Sequence, residues 1–154
     1  RVYFAGCQRA VDLMDEIIYH NILHMQLRFC DADQFGHVNN SVYFQYYDTA
    51  KIHYMKTVCP QMDKKYAIVV VHIDADFLSQ LHTDEHVAVQ TAVIHIGKKS
   101  FTLQQRLINL ESKEVKCTVK TVMVAYDLEL NKSVELLPGW VNAMCKYEGR
   151  DLRA

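Results

Sequence analysis

Polar and apolar side chains alternate along residues 22–30, the first regular pattern in the chain. Side chains two apart on a strand point to the same face, so this alternation predicts a strand with one face buried. The side chains predicted to face inward are Leu23, Met25, Leu27 and Phe29. Residues 1–21 read as a separate N-terminal extension, in which apolar residues at helical spacing between Ala10 and Ile18 predict a short amphipathic helix.

The spacing changes to three and four residues at position 41 and keeps that period to position 58. This period predicts a helix of about five turns with one apolar stripe. The stripe consists of Tyr43, Tyr47, Ala50 and Tyr54. Asn39 or Asn40 suits the N-cap, because a short polar side chain there accepts a hydrogen bond from the first turn. Cys59-Pro60 ends the helix, since a residue before proline avoids helical geometry.

Four further strands are predicted by runs rich in β-branched residues. They cover residues 66–78, 85–96, 100–110 and 114–126. Short links between consecutive strands predict antiparallel hairpins. An apolar stretch over residues 138–147, stopped at Gly149, predicts a closing helix. The element order predicts an α+β fold in which a five-stranded antiparallel sheet wraps around one long helix.

Composition excludes several functional classes. The 154 residues include 17 Lys and Arg against 18 Asp and Glu, so the charge balance indicates neither nucleic acid nor an anionic membrane surface as a partner. No apolar run approaches the roughly 20 residues of a membrane span. Five cysteines, an odd number without a C-x-x-C pair, favour a reducing compartment such as the cytoplasm over a disulfide framework or a structural zinc site.

The densest polar segment, residues 31–40, lies immediately before the predicted long helix. A helix N-terminus presents unpaired N–H groups and partial positive charge, which can hold an oxyanion. A carboxylate and an imidazole just upstream would supply a nucleophile or a base beside it. Two other interpretations stay open: a polar turn followed by a capped helix, and a divalent metal held by Asp31, Asp33 and His37.

The segment from Arg28 to Lys51, RFCDADQFGHVNNSVYFQYYDTAK, resembles the signature of the hotdog-fold 4-hydroxybenzoyl-CoA thioesterase family. In that family a strand ends in Asp-x-Asp, passes through a glycine loop and enters a long aromatic helix. The HVNN sequence at 37–40 also resembles the acyl-carrier-protein thioesterases of plants, which share the fold. The match of element order implies a single hotdog domain over residues 22–154.

The resemblance implies roles for individual residues. Asp33 would be the catalytic carboxylate, acting as nucleophile or general base, with His37 and Asn40 as further catalytic candidates. Phe35 stands where the plant branch carries a catalytic Asn, and Asn40 where many bacterial members carry a His. Asp31 is expected to cap the loop. Residues implied to line the oxyanion and substrate site are Gly36, Val38, Asn39 and Tyr43.

A second, weaker similarity lies in the hairpin between the third and fourth predicted strands. Hotdog thioesterases often carry a Gly and a Ser there, near the bound CoA chain, and the adjacent lysines would neutralise CoA phosphates. The residues concerned are Gly97, Lys98, Lys99 and Ser100. The alternative is an ordinary hairpin turn with two solvated lysines.

The function implied by the resemblance is hydrolysis of an acyl-CoA thioester to a carboxylic acid and CoA. It implies no metal ion and no cofactor beyond the CoA that the substrate carries. Because the family builds its active site between subunits, it also implies a homodimer or a homotetramer. Three rivals stay open: an enzyme acting on acyl carrier protein thioesters, a non-catalytic hotdog module that binds acyl-CoA or only mediates assembly, and a metalloenzyme.

Overall fold

The structure, a computed structural model, describes residues 17–153. The helix predicted between Ala10 and Ile18 therefore lies almost wholly outside the described residues. The regular elements, in chain order, are β1 (Asn21–Met25), α1 (Asn40–Val58), β2 (Tyr66–Phe77), β3 (Val87–Ile96), β4 (Ser100–Asn109), β5 (Val115–Asp127), β6 (Lys132–Val134) and α2 (Pro138–Glu148).

The strands form one antiparallel sheet in the order β1-β3-β4-β5-β2, with short β6 paired to the end of β5. The helix α1 packs against this sheet and α2 closes the far end of the core. The predicted α+β hotdog architecture is confirmed. No helix within residues 17–153 combines the length and apolar character needed to cross a membrane.

The apolar stripe of α1 is the centre of the core, as its period predicts. Tyr47, Ala50 and Tyr54 are at most 1% exposed. The Asn39 side chain caps the helix by accepting a hydrogen bond from the Ser41 N–H at 3.0 Å. Burial of large aromatic side chains contributes roughly 2–3 kcal/mol each, which makes this stripe the main stabilising element of the fold.

Two groups of buried side chains divide the core along α1. The N-terminal half of the helix packs with Leu81, Val87 and Leu107, among others. The C-terminal half packs with Phe101 and with Trp140 of α2, among others. The two ends of α1 are therefore bordered by different parts of the sheet. Candidate site residues near opposite ends of α1 lie far apart within one chain.

The first strand is shorter than the alternation predicts. A 3₁₀ turn at Phe29–Asp31 breaks it, because the Asp31 carboxylate accepts a hydrogen bond from the backbone N–H of Arg28 at 3.0 Å. Phe29, predicted to face inward, is 96% exposed. A side chain–backbone hydrogen bond of this kind competes with strand pairing, and the hydrophobic pattern does not reveal it.

Two further predictions about the sheet are corrected. The sheet has six strands and not the predicted five. The sixth strand, β6, was missed because it spans only three residues and carries no alternating pattern. The link between β2 and β3 is not a hairpin, since β2 pairs with β5 at the sheet edge while β3 lies beside β1. The link crosses the end of the core instead, and its Leu81 is fully buried there.

A buried hydrogen-bond cluster ties α1, α2 and β3 together. The Tyr54 hydroxyl donates to Glu148 Oε1 at 2.6 Å, and the Val93 backbone N–H donates to the same oxygen at 3.0 Å. Glu148 is buried at the end of α2, so its carboxylate depends on these donors. The cluster fixes α2 against the C-terminal half of α1.

We predict that Tyr54→Phe lowers the free energy of unfolding by about 1–3 kcal/mol, because it removes one donor from a buried carboxylate. Urea denaturation followed by circular dichroism measures this. The matched control is Tyr126→Phe, whose hydroxyl donates to exposed Asn131 at 2.6 Å; it is expected to cost less than about 0.5 kcal/mol. Equal losses in the two variants would contradict this role for Tyr54.

Candidate active site

The segment before α1 folds into a small hairpin. The backbone N–H of Asp33 donates to the His37 carbonyl at 2.8 Å, and the N–H of Gly36 donates to the Asp33 carbonyl at 3.1 Å. Ala32 and Val38 form an isolated antiparallel bridge across its base. Gly36 has φ of 77°, in the left-handed region that a residue without Cβ adopts at least cost. The turn thus presents Asp33 close in the chain to the start of α1.

The carboxylate of Asp33 is held by backbone amides on one side only. Its Oδ1 accepts hydrogen bonds from the N–H of Phe35 at 2.8 Å and of His37 at 3.2 Å. Within residues 17–153, Oδ2 accepts no hydrogen bond, and the residue is exposed on the single chain. One oxygen therefore fixes the orientation of the carboxylate while the other is open to a reactant.

Asp31 anchors the base of this hairpin. Its buried carboxylate accepts hydrogen bonds from the Arg28 side chain at 3.0 Å and from the Tyr46 hydroxyl of α1. Burial opposes ionisation, but the hydrogen bonds from Tyr46 and Arg28 and the guanidinium charge outweigh it, so the pKa of Asp31 is lowered. Asp31 acts as the loop anchor expected of it. The first and second carboxylates of Asp-x-Asp thus lie in different environments.

The start of α1 offers one open backbone donor. The N–H of Asn39 donates to the Asp31 carbonyl at 3.1 Å, and the N–H of Ser41 to the Asn39 side chain. The N–H of Asn40 donates no hydrogen bond to any residue in the described part of the chain. Such a first-turn amide suits an oxyanion. Of the two asparagines predicted there, Asn40 has the available N–H group.

His37 lies on the side of the hairpin that faces the β2–β3 link. The N–H of Val38 donates to the Leu81 carbonyl at 2.7 Å, and His37 forms an isolated bridge with His82. The two imidazole rings meet edge to face with centroids 4.9 Å apart. The sequence pattern singled out His37 but not His82, because the contact depends on the link crossing the core.

Two predicted substrate-lining side chains are mainly core residues in the single chain. Tyr43 and Val38 are buried, and the Tyr43 ring packs edge to face on Phe77 of β2 at 5.2 Å. Burial raises the pKa of Tyr43, which keeps its hydroxyl protonated. Tyr43 thus supports the wall of the site from the core side.

The candidate CoA-binding hairpin lies at the other end of the molecule. Ile96 and Phe101, which flank it, pack with Val58 and Cys59 at the C-terminal end of α1. A helix of 19 residues is about 28 Å long. Lys98 forms an exposed ion pair with Glu135 at 3.2 Å. Within one chain, Gly97, Lys98, Lys99 and Ser100 are not brought together with Asp33.

A groove between α1 and β2 contains an apolar cavity of about 310 Å³. Its lining includes Met55 of α1, Met62, Ile68 of β2 and Met123 of β5. Lys51 borders it, with a buried side chain that pairs with Asp48 at 2.8 Å. Flexible thioether side chains adapt to apolar ligands of varied shape. The sequence pattern does not reveal this cavity, because its walls come from three separate elements.

The metal interpretation of Asp31, Asp33 and His37 finds no support in the geometry. Among residues 17–153, no group of three or more His, Cys, Asp or Glu side chains is placed to hold a metal ion. The Asp31 carboxylate is turned toward Arg28 and Tyr46. The hairpin thus presents a carboxylate with one oxygen free of hydrogen bonds within residues 17–153, and the helix start presents an open backbone N–H.

We predict that Asp31→Asn lowers the free energy of unfolding at pH 7 by about 1–3 kcal/mol, because charge-assisted hydrogen bonds are lost. Since the folded-state pKa lies below the ordinary 3.8, this contribution is complete above that value and disappears as pH falls through the folded pKa. Urea titrations at several pH values measure the difference from wild type. Asp151→Asn, at an exposed carboxylate, is the control; a difference independent of pH would contradict the assignment.

Comparison with known proteins places the chain in a family. A sequence profile of the thioesterase-like superfamily matches residues 27–144. The uncharacterized protein YsmA of Bacillus subtilis (strain 168) is 32% identical over 111 residues, which cover 71% of this chain and 75% of that protein.

Solved structures share the fold at low identity. The PA5185 protein of Pseudomonas aeruginosa superposes with a TM-score of 0.77 at 19% identity, covering 88% of this chain and 95% of that one. A 1,4-dihydroxy-2-naphthoyl-CoA thioesterase from Synechocystis gives 0.73 at 19% identity, covering 81% and 95%. A Thermus thermophilus thioesterase complexed with coenzyme A and Zn gives 0.75 at 24% identity, covering 86% and 96%.

These likenesses agree with the element order and with the resemblance seen in residues 28–51. The profile match covers the hairpin, α1, every strand from β2 to β6 and most of α2. The chain therefore belongs to the thioesterase-like superfamily.

Proposed function

We propose that the protein is an acyl-CoA thioesterase in which Asp33 is the catalytic carboxylate. The observation that carries the proposal is the asymmetry of Asp33: backbone amides hold Oδ1, while Oδ2 accepts no hydrogen bond within residues 17–153. The open N–H of Asn40 begins α1 at the end of the same hairpin. A thioester carbonyl between these two groups would meet a nucleophile or base on one side and an oxyanion donor on the other.

The reaction needs only the thioester and water. Asp33 either attacks the carbonyl carbon or removes a proton from the water that does. Negative charge develops on the carbonyl oxygen, where the Asn40 N–H and the positive end of α1 stabilise it. In the base route water forms the new C–O bond, the C–S bond breaks, and CoA leaves as the thiol with the proton that Asp33 took from water. In the nucleophile route the C–S bond breaks to leave a mixed anhydride on Asp33, which water hydrolyses to the carboxylic acid and free Asp33 while its second proton goes to the CoA thiolate. No metal or separate cofactor takes part in this scheme.

The free edge of β2 supports a homodimer. β2 pairs with β5 on one side and with no other strand of the described chain. It is 12 residues long and carries exposed apolar side chains, including Val71 at 57% exposure and Ile73 at 40%. A long apolar edge strand has unpaired N–H and C=O groups that can pair with a strand of another chain. Antiparallel pairing of two β2 strands about a two-fold axis would cover it.

The same pairing would complete the active site. The Phe77 end of β2 lies against Tyr43, near the Asp33 hairpin, whereas Tyr66 and Ile68 pack with the core group beside the Gly97–Ser100 hairpin. An antiparallel pair sets the Phe77 end of one subunit beside the Tyr66 end of its partner. The apolar cavity and the two hairpin lysines of one subunit would then approach Asp33 of the other.

We infer the substrate class from the groups that this dimer would bring to Asp33. The cavity suits an apolar acyl group, since ligand pockets begin at about 300 Å³ and are lined mostly by apolar side chains. Lys98 and Lys99 would meet the phosphates of CoA. The Synechocystis protein is a 1,4-dihydroxy-2-naphthoyl-CoA thioesterase, and the Thermus thermophilus thioesterase is complexed with coenzyme A and Zn. Acyl carrier protein is the alternative carrier, and turnover of matched CoA and carrier-protein substrates separates the two.

We predict that Asp33→Asn lowers kcat by about 10²-fold or more with little change in substrate binding, because the amide can neither attack nor accept a proton. Thiol release from acyl-CoA under saturating substrate measures kcat, and thermal unfolding checks the fold. The matched control is Asp63→Asn. Asp63 is also an exposed carboxylate, and it accepts a hydrogen bond from the backbone N–H of Lys65 at 2.9 Å. Full turnover in Asp33→Asn would remove this residue from the mechanism.

We predict that Ile73→Lys converts a dimer to monomers, because like charges near a two-fold axis face each other across the strand pair. Light scattering after size exclusion measures the mass. Hydrolysis is expected to fall with the dimer although Asp33 is intact. Leu128→Lys, at an exposed apolar residue of the β5–β6 turn, is the control and keeps the wild-type mass. A monomeric, fully active wild type would contradict the shared site.

A further inference from the structure

A buried lysine lies on the wall of the apolar cavity between α1 and β2. The side chain of Lys51 is 7% exposed, and it borders the cavity beside Met55. Within residues 17–153, the only hydrogen-bond or ion-pair partner of its ammonium group is Asp48, at 2.8 Å. An ammonium group has three N–H donors, so Lys51 can also bind an acceptor that enters the cavity. A shielded cation gains from a second acceptor, because burial removes it from water.

Lys51 lies at the end of the cavity away from the candidate CoA-binding hairpin. Cys59, at the other end of the lining, packs with Ile96 and Phe101, which flank that hairpin. Lys51 comes eight residues earlier in the chain, so it lies about 12 Å away along the helix axis. In a substrate whose CoA lies at the hairpin, the end of the acyl group farthest from the sulfur would therefore approach Lys51.

Two further polar groups lie toward the Lys51 end of the cavity. The Thr121 hydroxyl and Gln105 Oε1 are buried and have no hydrogen-bond partner within residues 17–153. Thr121 lies two residues before Met123 on β5, so both side chains point to the same face, and Met123 lines the cavity. The Gln105 amide donates to the Tyr47 carbonyl at 3.2 Å, one helical turn before Lys51. Because unpaired polar atoms are uncommon in protein interiors, their position favours a polar group of a ligand here.

The charge of the lining favours an anionic acceptor. Among the residues that the structure describes, those lining the cavity include Lys51 and Lys56 but no Asp or Glu. The Asp48 side chain is 67% exposed, so water screens its charge and leaves the charge of Lys51 partly uncompensated. A carboxylate at Lys51 would form a charge-assisted hydrogen bond in an apolar environment, where such bonds are stronger than at the surface.

We propose that the acyl group taken by this cavity ends in a carboxylate, which Lys51 binds, with the Thr121 hydroxyl on the adjacent wall. This rests on the proposed thioesterase function and names its substrate class, the CoA monothioester of an aliphatic dicarboxylic acid. Hydrolysis of such a thioester by water releases the dicarboxylic acid and CoA, and the terminal carboxylate takes no part in the bond changes. The methylene groups between the two ends would contact the flexible methionine side chains of the lining.

Two acyl-CoAs of equal chain length test the proposal, because adipyl-CoA ends in a carboxylate and hexanoyl-CoA ends in a methyl group. We expect the wild-type kcat/KM for adipyl-CoA to be higher by about tenfold or more, as hydrogen bonds to charged groups are strong. Thiol release measures both values. A ratio of one or less would overturn the proposal. A higher kcat/KM for ω-hydroxyhexanoyl-CoA than for adipyl-CoA would also overturn it, because the preferred end group would then be neutral.

Lys51→Met keeps a linear side chain of similar size but removes the charge. It is expected to lower the adipyl-to-hexanoyl ratio of kcat/KM about tenfold, whereas Lys51→Arg, which keeps the charge, is expected to retain a ratio above one. The matched control is Lys146→Met, since Lys146 is exposed on α2 and does not line the cavity. Its ratio is expected to equal that of wild type. An unchanged ratio in Lys51→Met is evidence against the carboxylate site.

Thr121→Val is the second variant, should Lys51→Met fail to fold. It replaces a hydroxyl without a partner in the described chain by a methyl group of similar size, so thermal stability is expected to be kept. The adipyl-to-hexanoyl ratio is expected to fall about threefold, as for loss of one neutral donor. Where Lys51→Met does not fold, an unchanged ratio in Thr121→Val overturns the proposal.

Binding separates this proposal from the proposed function. Calorimetry on Asp33→Asn, which is expected to bind without hydrolysis, gives the Kd of adipyl-CoA and of hexanoyl-CoA. Tighter binding of adipyl-CoA that is lost when Lys51→Met is added supports the carboxylate site, even if the wild type hydrolyses no thioester. If the wild type hydrolyses hexanoyl-CoA at least as well as adipyl-CoA, the carboxylate site fails and the thioesterase function stands.

Discussion

Burial of the tyrosine stripe of α1 is the constraint on which the rest of the structure depends. Because Tyr47 and Tyr54 must lie inside the sheet, only one face of the helix can point inward. The Asn39 cap makes Asn40 the first residue of the helix, directly after the Asp33 hairpin. Tyr46, on the same helix, reaches back to Asp31 and holds the base of the hairpin. A single packing interface therefore sets both the fold and the geometry of the candidate active site.

The same packing separates the parts of the proposed site. The carboxylate and the open amide lie at the start of α1, whereas the apolar cavity and the hairpin lysines lie toward its end. Since α1 is about 28 Å long, the hairpin lysines of one chain lie far from its own Asp33. Pairing of two uncovered β2 edges about a two-fold axis would bring the carboxylate of one subunit close to the cavity and lysines of the other. In this proposal, dimerisation is needed for catalysis as well as for stability.

Sequence alone predicted the elements whose signals are local. The period of α1, its cap at Asn39 and its end at Cys59-Pro60 are confirmed, as is the closing helix with Gly149 at its C-cap. Features that depend on tertiary contacts were missed: the turn that exposes Phe29, the crossing made by Leu81 and the contact of His82 with His37. Asp33 was singled out as a candidate because its motif is short and contiguous. The assigned catalytic and CoA-binding roles remain predictions.

Hydrolysis of thioesters at the Asp33 hairpin is the central proposal. The most direct measurement is thiol release by the purified wild-type protein across short-chain, long-chain and aromatic acyl-CoAs, with substrate binding measured in parallel. We expect catalytic release of free CoA from at least one acyl-CoA, at a rate that depends on the acyl group because the proposed binding cavity would select it. Saturable binding of acyl-CoA without release of any thiol across the whole series would contradict it and leave a binding module.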